Sequence, residues 1–264
     1  MSGYPMESEQ ETRRLLEQAR ALPVTRHLLS TGLAPGMAAL DAGCGPGLIT
    51  AMMAEVVGSG GSVVGLDLSD KRLEEARKLC SGLPQCRFVQ ADVCKTGLPA
   101  DSFDYVWSQF VFEYLRAPEE GLAELVRVTR PGGRIVVADV DGPGDLGWPF
   151  PEDLREGIQK VAAAAKAAAG LDVQVGRKMF HLFRRVGLNQ VRVHLAPLYV
   201  EAGAADARQM EDWATRFKAL EAIAAPAFGS LAAYREFADR YLAMLCDPDT
   251  LKYAVLLITE GQKQ

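Results

Sequence analysis

The stretch that decides the fold is residues 37–47, MAALDAGCGPG, an apolar run that ends in a glycine-rich turn. The run predicts a strand, and the apolar residues over 48–57 predict a helix directly after the turn. Glycines at positions 43, 45 and 47 let the backbone approach a ligand closely and present its amide groups. The stretch therefore predicts a strand, a binding loop and a helix in succession.

The same alternation continues to position 140. Further apolar runs predict strands over 62–67, 86–92, 103–108 and 133–140. Helices are predicted over 48–57, 70–80 and 119–129, after the first, second and fourth strands. Near-continuously apolar strands that alternate with helices predict a parallel sheet covered on both faces. Right-handed crossovers then give an α/β protein with a doubly wound, Rossmann-like sheet.

After residue 140 the order changes. A loop rich in proline and glycine is followed by predicted helices over 151–169 and 176–186, a strand over 189–200, amphipathic helices over 206–224 and 231–245, and a last strand over 252–261. The extra helices predict a cap on the alternating core and not a second independent domain.

Composition narrows the class of protein. The 264 residues are 48% hydrophobic, with a net charge of −5 and a pI near 5.4. Nucleic-acid binders carry basic stripes, so this charge disfavours DNA and RNA as partners. No apolar window approaches the roughly 18 residues of a membrane span. The polar, acidic N-terminal stretch predicts no signal peptide, and the expected location is cytoplasmic.

The cysteine and histidine pattern predicts no metal centre. The five cysteines lack CxxC spacing and any zinc-type pairing with the three histidines. Asp139 and Asp141 follow the fifth strand, but no third ligand is identifiable. Buried or free thiols in a reducing compartment are therefore expected.

The glycine spacing separates two kinds of cofactor site. The dinucleotide fingerprint GxGxxG needs glycine at position 48, where Leu48 stands. The chain instead has GxGxG, with Asp41 two residues before the first glycine. This motif resembles that of class I S-adenosylmethionine (SAM)-dependent methyltransferases, in particular the small-molecule enzymes of the UbiE, or methyltransferase type 11, kind.

The resemblance extends through the next three strands, in family order. It implies that the acid ending the second strand, Asp67, accepts hydrogen bonds from the ribose hydroxyls of SAM, and that Asp92 recognises the adenine amine. The cofactor-binding residues it implies in the core are Asp41, Gly43, Cys44, Gly45, Gly47, Asp67, Leu68, Asp92, Val93, Ser108 and Gln109.

The resemblance also implies the layout of the whole chain. The family sheet has seven strands, the seventh antiparallel. Residues 1–36 are expected to form an N-terminal helical lid whose Tyr4, Arg14 and Gln18 close over SAM. Residues 37–264 are expected to form the SAM-binding domain, with cap insertions at about 141–170 and 202–248.

Methyl transfer from a sulfonium requires alignment and exclusion of water more than a strong base. A base is needed only where the acceptor must lose a proton. The candidates are Glu113 and Tyr114 after the fourth strand, where the family often has Glu-His, and His27 on a predicted helix. Structural roles remain the alternative for each.

The predicted function is methyl transfer from SAM to a small, largely apolar acceptor, such as a natural product or quinone, by in-line displacement. Three alternatives stay open: a SAM-binding protein without methyl transfer, a methyltransferase of RNA or protein, and a nicotinamide-dependent reductase. The expected partner is a small molecule, with no nucleic acid and no membrane span, and homodimerisation is left open.

Overall fold

The structure is a computed structural model and describes residues 22–264. The strands are β1 (Ala38–Ala42), β2 (Ser62–Asp67), β3 (Cys86–Gln90), β4 (Phe103–Gln109), β5 (Thr129–Val140), β6 (Gly147–Trp148), β7 (Asn189–Ala202) and β8 (Leu251–Gln262). The α-helices are α1 (Val24–Ser30), α2 (Leu48–Val57), α3 (Asp70–Leu79), α4 (Pro118–Val128), α5 (Glu152–Ala169), α6 (Gly176–Arg185), α7 (Ala207–Ala224) and α8 (Leu231–Leu245).

The strands form one sheet in which β3, β2, β1, β4 and β5 are parallel neighbours in that order. Strand β8 pairs antiparallel with β5, and β7 pairs antiparallel with β8. Because the carboxyl ends of parallel strands meet at one edge, the loops after β1, β2, β3 and β4 lie together there. The predicted fold class, a doubly wound α/β sheet with an antiparallel last strand, is confirmed.

The sheet has one strand more than the seven expected. Residues Leu251 and Lys252 of β8 pair with the end of β7 and also with β6. Strand β7 pairs along one edge of β8. Strand β6 must therefore pair with the other edge of β8, which pairs with β5 further along the strand. Two residues of the predicted proline- and glycine-rich loop thus add an eighth strand, too short for any periodicity to reveal it.

Apolar residues on both faces of the sheet are buried under helices, as a parallel sheet requires. On one face Tyr105 and Trp107 pack with residues of α1 and α2, among them Leu28 and Met53. On the other face Val106 and Val137 pack with residues of α4 and α6, among them Leu122 and Phe183.

A third buried cluster lies in the cap. It joins α5, α7 and α8, and its members include Phe150, Ile158, Phe217, Tyr234 and Tyr241. The ring centroid of Phe217 lies 5.2–6.5 Å from those of Tyr234, Phe237 and Tyr241, in edge-to-face geometry in all three pairs. The two insertions that flank α6 and β7 therefore share one aromatic core.

Strand β5 begins at Thr129 instead of 133, because Thr129 already pairs with Phe103 of β4; the pairing then shifts register and resumes between Arg134 and Tyr105. The predicted lid residues Tyr4, Arg14 and Gln18 lie outside the described residues. Over residues 22–264, helices that are both long and apolar enough to cross a bilayer are absent.

Candidate functional site

The glycine loop after β1 has a backbone that only glycine adopts readily. Gly43, Gly45 and Gly47 have φ angles of 83°, 51° and 85°. A Cβ on Gly43 would lie 2.2 Å from Cγ2 of Val111, and one on Gly47 would lie 2.7 Å from Cβ of Ala76. At Gly45 the nearest heavy atom to such a Cβ would be 3.7 Å away. The loop is therefore packed against protein at its ends and open in the middle.

Asp67 ties this loop to the end of β2. Its Oδ2 accepts a hydrogen bond from the backbone N–H of Gly45 at 2.8 Å, and its Oδ1 accepts one from Ser69 at 2.9 Å. The next residue, Leu68, is 64% exposed. A carboxylate and an uncovered apolar side chain thus stand side by side next to the open part of the loop.

Asp41 lies beneath the loop and not in it. It is fully buried, and its Oδ2 accepts a hydrogen bond of 2.6 Å from the Thr50 hydroxyl on α2. Burial raises the pKa of Asp41 to about 7, against the opposing effect of the Thr50 bond and with a smaller contribution from Asp67. Burial likewise raises the pKa of the Cys44 thiol. Both side chains support the loop from below.

The turn after β3 holds the third expected acid. Asp92 accepts a hydrogen bond from the Cys94 amide through Oδ1 at 2.8 Å, and its carbonyl oxygen accepts one from Lys95. Val93 is buried in the core on the α4 side of the sheet. This turn places the backbone of the Asp92–Val93 pair at the same edge as Asp67.

At the end of β4, Ser108 and Gln109 are both buried. The Ser108 hydroxyl donates to the carbonyl oxygen of Ala42 at 2.9 Å, which fixes β4 against the start of the glycine loop. Oε1 of Gln109 is buried and has no hydrogen-bond partner within residues 22–264. A ligand group at this edge would find an acceptor there after a small side-chain movement.

Glu113 and Tyr114 lie in a single 3-10 turn directly after β4. Asp139 of β5 holds this turn: its Oδ2 accepts hydrogen bonds from the amides of Phe112 at 2.9 Å and Glu113 at 3.3 Å. Asp139 is fully buried, and burial followed by the Glu113 charge raises its pKa well above the ordinary range. Asp139 thus positions the turn that carries both candidate residues.

His27 is not brought to this group. It lies on α1, on the face of the sheet that carries Tyr105 and Trp107, whereas the Asp139 turn belongs to the opposite face. Its electrostatic neighbours are Arg26 and His194. Burial, followed by those two side chains, lowers the pKa of His27.

Asp139 near the end of β5 and Asp141 just after it both have protein partners. Asp141 forms an ion pair of 2.6 Å with Arg177 of α6, and Asp139 accepts backbone hydrogen bonds. In the described part of the chain, no cluster of three or more metal-ligating side chains occurs.

Sequence reasoning missed the residues that support the site from a distance. Thr50 and Val111 carry no motif, and Asp139 was considered only as a metal ligand. Each acts through a contact that becomes visible only once the strands are side by side. The one signal available was an acid at the penultimate position of an otherwise apolar predicted strand, at Asp139.

Comparison with known proteins agrees with this geometry. The family model described as a methyltransferase domain matches residues 40–137. An uncharacterized 37.1 kDa protein in transposon TN4556 of Streptomyces fradiae is 37% identical over 107 residues, which is 40% of this chain and 31% of that protein. The ubiquinone/menaquinone biosynthesis C-methyltransferase UbiE of Ectopseudomonas mendocina is 36% identical over 118 residues, which is 44% of this chain and 46% of UbiE.

The similarity to these curated relatives therefore spans less than half of each. Among solved structures, a SAM dependent methyltransferase from Aquifex aeolicus superposes with a TM-score of 0.57 at 17% identity, covering 97% of this chain and 99% of that one. At this identity the likeness shows the fold. Taken with the family match and the glycine loop, it means that residues 40–137 form a methyltransferase domain of the class I, S-adenosylmethionine-dependent type.

Proposed function

We propose that this protein transfers a methyl group from SAM to a small, largely apolar organic acceptor. The observation that carries the proposal is the pair of hydrogen bonds by which Asp67 joins the Gly45 amide and the start of α3. They place a carboxylate beside Gly45, the one of the three loop glycines where an added Cβ would have no heavy atom closer than 3.7 Å. The site thus offers an acceptor for hydroxyl groups next to an open backbone.

The residues present fit the cofactor. Asp67 would accept hydrogen bonds from the ribose hydroxyls, and the exposed Leu68 would pack against the adenine ring. Asp92 and Val93 would receive the adenine edge. Ser108 and Gln109 would border the methionine part, together with Gly43 and Gly47 of the loop. The bound cofactor supplies an activated methyl group on a positively charged sulfur.

The protein's own part in the reaction is alignment and exclusion of water, which can supply about 7–11 kcal/mol of the barrier. The turn with Glu113 and Tyr114 would border the acceptor, because it follows β4 at the edge where the cofactor binds. Asp139 would keep it in place through two backbone hydrogen bonds. An acceptor proton would pass to Glu113 if the acceptor loses one; His27 has no part in the proposed site.

The cap and the relatives support the proposed class of acceptor. Gly170, which caps the end of α5, lies close to Arg116, a residue shortly after β4, so the first insertion reaches over the edge where SAM would bind. The amide of Asp172 donates to the carbonyl oxygen of Glu113 at 2.7 Å. A cap in contact with the turn after β4 would cover the acceptor, which supports a small molecule over a macromolecule, and UbiE is named for quinones. A quinone or similar apolar ring compound is the proposed acceptor.

The test is incubation with methyl-labelled SAM and a panel of reduced quinones, phenols and polyketides, followed by extraction of the labelled product. The proposal expects label in at least one acceptor with wild type, and none with Asp67→Ala. SAM binding by calorimetry, with no label in any acceptor, would favour a SAM-binding protein that does not transfer methyl groups. Label in added RNA or protein would contradict the acceptor class.

A further inference from the structure

A groove lies outside the cofactor cleft, between residues 148–151 and the end of α8. Its volume is about 570 Å³, within the range of small-molecule pockets. The residues that line it are Trp148, Pro149, Phe150, Pro151, Leu154, Arg240, Ala243, Met244, Asp247 and Thr250.

The groove is separate from the proposed methyl-transfer site. Val140, at the end of β5, pairs with Leu256 of β8, whereas Trp148 pairs with Leu251, five residues away. At about 3.4 Å per residue, the groove begins roughly 17 Å beyond the end of β5. The glycine loop lies at the end of β1, two strands further across the sheet.

The walls of the groove are apolar, and the aromatic side chain at its mouth is exposed. Phe150, Leu154 and Met244 present the edge of the cap core to the groove. Trp148 forms the lip and is 77% exposed, the largest exposed fraction among the big apolar side chains of residues 22–264. An indole in water leaves a large apolar surface unburied, and a ligand packed against its face would bury that surface.

The floor carries a polar group without a partner. Thr250 is 1% exposed, and its hydroxyl finds no hydrogen bond anywhere in the described part of the chain. A buried hydroxyl that makes no hydrogen bond costs free energy that a partner would restore. A ligand oxygen at the floor, with rotation of the threonine side chain, would supply one.

The charges at the rim exclude an anion. Arg240 is paired with Asp153 at 2.5 Å, and Asp247 adds a second carboxylate to the same rim. One cation against two anions leaves no attraction for a carboxylate or a phosphate. Together, the aromatic lip, the apolar walls and the single hydroxyl favour an uncharged aromatic ligand with one polar group.

We propose that this groove is a second ligand site, which binds an uncharged planar apolar molecule with one hydroxyl or carbonyl oxygen. The aromatic body packs between Trp148 and the α8 wall, and the oxygen meets Thr250. The inference does not depend on the proposed methyl transfer, because none of its residues belongs to the cofactor cleft.

The test uses three matched probes, 2-naphthol, naphthalene and 2-naphthoate, titrated by ligand-detected NMR. Wild type is expected to bind 2-naphthol about fivefold more tightly than naphthalene, as one neutral hydrogen bond implies, and to bind 2-naphthoate most weakly. Thr250→Val should remove the preference for the hydroxyl while keeping naphthalene binding.

Location is tested by filling the groove. Ala243 is exposed and lines it, so Ala243→Trp should weaken 2-naphthol binding by about tenfold or more. Ala232→Trp, at an exposed position near the other end of the same helix, is the matched control and should bind as wild type does. Melting curves check that both variants fold. No saturable binding to wild type at about 1 mM, or equal binding by the two tryptophan variants, would overturn the proposal.

Discussion

Replacing Asp41 by asparagine should remove a large pH dependence of stability. Asp41 is fully buried, and its pKa is raised to about 7 from 3.8. Between these pH values the folded protein keeps a proton that the unfolded chain has lost. The folded state then binds more protons, so the free energy of unfolding falls as pH rises. Asparagine keeps an oxygen for the Thr50 hydroxyl but cannot ionise.

The magnitude follows from the two pKa values. At pH 5 Asp41 is ionised in the unfolded chain, and its raised pKa in the folded protein lowers the free energy of unfolding by the equivalent of about 1.2 pKa units. By pH 8 this loss reaches about 3.2 units. The difference of about 2 units corresponds to ~3 kcal/mol, or roughly 6–12 °C in Tm for a chain of this size. Since Asp41 is not exposed, solvent screening does not reduce this figure.

The assay is thermal unfolding of wild type and Asp41→Asn at several pH values from 5 to 8. Other groups titrate in both proteins, so the informative quantity is the difference between their Tm values. That difference should shift in favour of Asp41→Asn by roughly 6–12 °C as pH rises. A difference that stays constant over this range would refute the assignment of a raised pKa to Asp41.

Three further changes have defined outcomes. In melting curves, Gly43→Ala should reduce stability by more than Gly36→Ala. Both glycines have φ above 80°, where an alanine costs roughly 1–2 kcal/mol. Only at Gly43 would the new Cβ also overlap another side chain, that of Val111. Equal losses would show that the overlap is relieved at no cost. Phe217→Ala should lower the free energy of unfolding in urea by about 3–5 kcal/mol, because this 4% exposed ring joins the aromatic side chains of the cap core; a loss below about 1 kcal/mol would mean that the cap core is loosely packed. In the same assay, Glu260→Ala should lower the free energy of unfolding by about 3–5 kcal/mol, since Glu260 is 1% exposed and pairs with Arg134 at 2.7 Å and His194 at 2.9 Å. Adding Arg134→Met to this variant should restore part of the lost stability if the ion pair explains the loss. No restoration would contradict that explanation.

The sequence predicted what depends on local pattern. The strands over positions 37–140 are near-continuously apolar and each ends in a turn, so their order and the edge that carries Asp67 and Asp92 could be inferred. The glycine spacing excluded a dinucleotide loop because a single position, Leu48, decides between the motifs.

What it did not predict depends on contacts between distant residues. Val111 lies 68 residues after Gly43, and the hydrogen bond from Glu113 to Asp139 spans 26 residues. Strand β6 has two residues and no periodicity. Aromatic residues on the amphipathic cap helices could have lined an acceptor pocket or packed with one another, and only the folded arrangement shows that Trp213 and Phe217 do the latter.

The central claim is that the edge formed by the glycine loop and Asp67 binds SAM. The most direct measurement is calorimetric titration with S-adenosylhomocysteine of wild type, Asp67→Ala and the control Asp70→Asn, whose exposed carboxyl pairs only loosely with Arg77 at 3.6 Å. We predict binding by wild type and by Asp70→Asn, and a loss of at least about tenfold in affinity for Asp67→Ala. Equal affinity of all three proteins, or binding of NAD(H) in place of S-adenosylhomocysteine, would contradict the account.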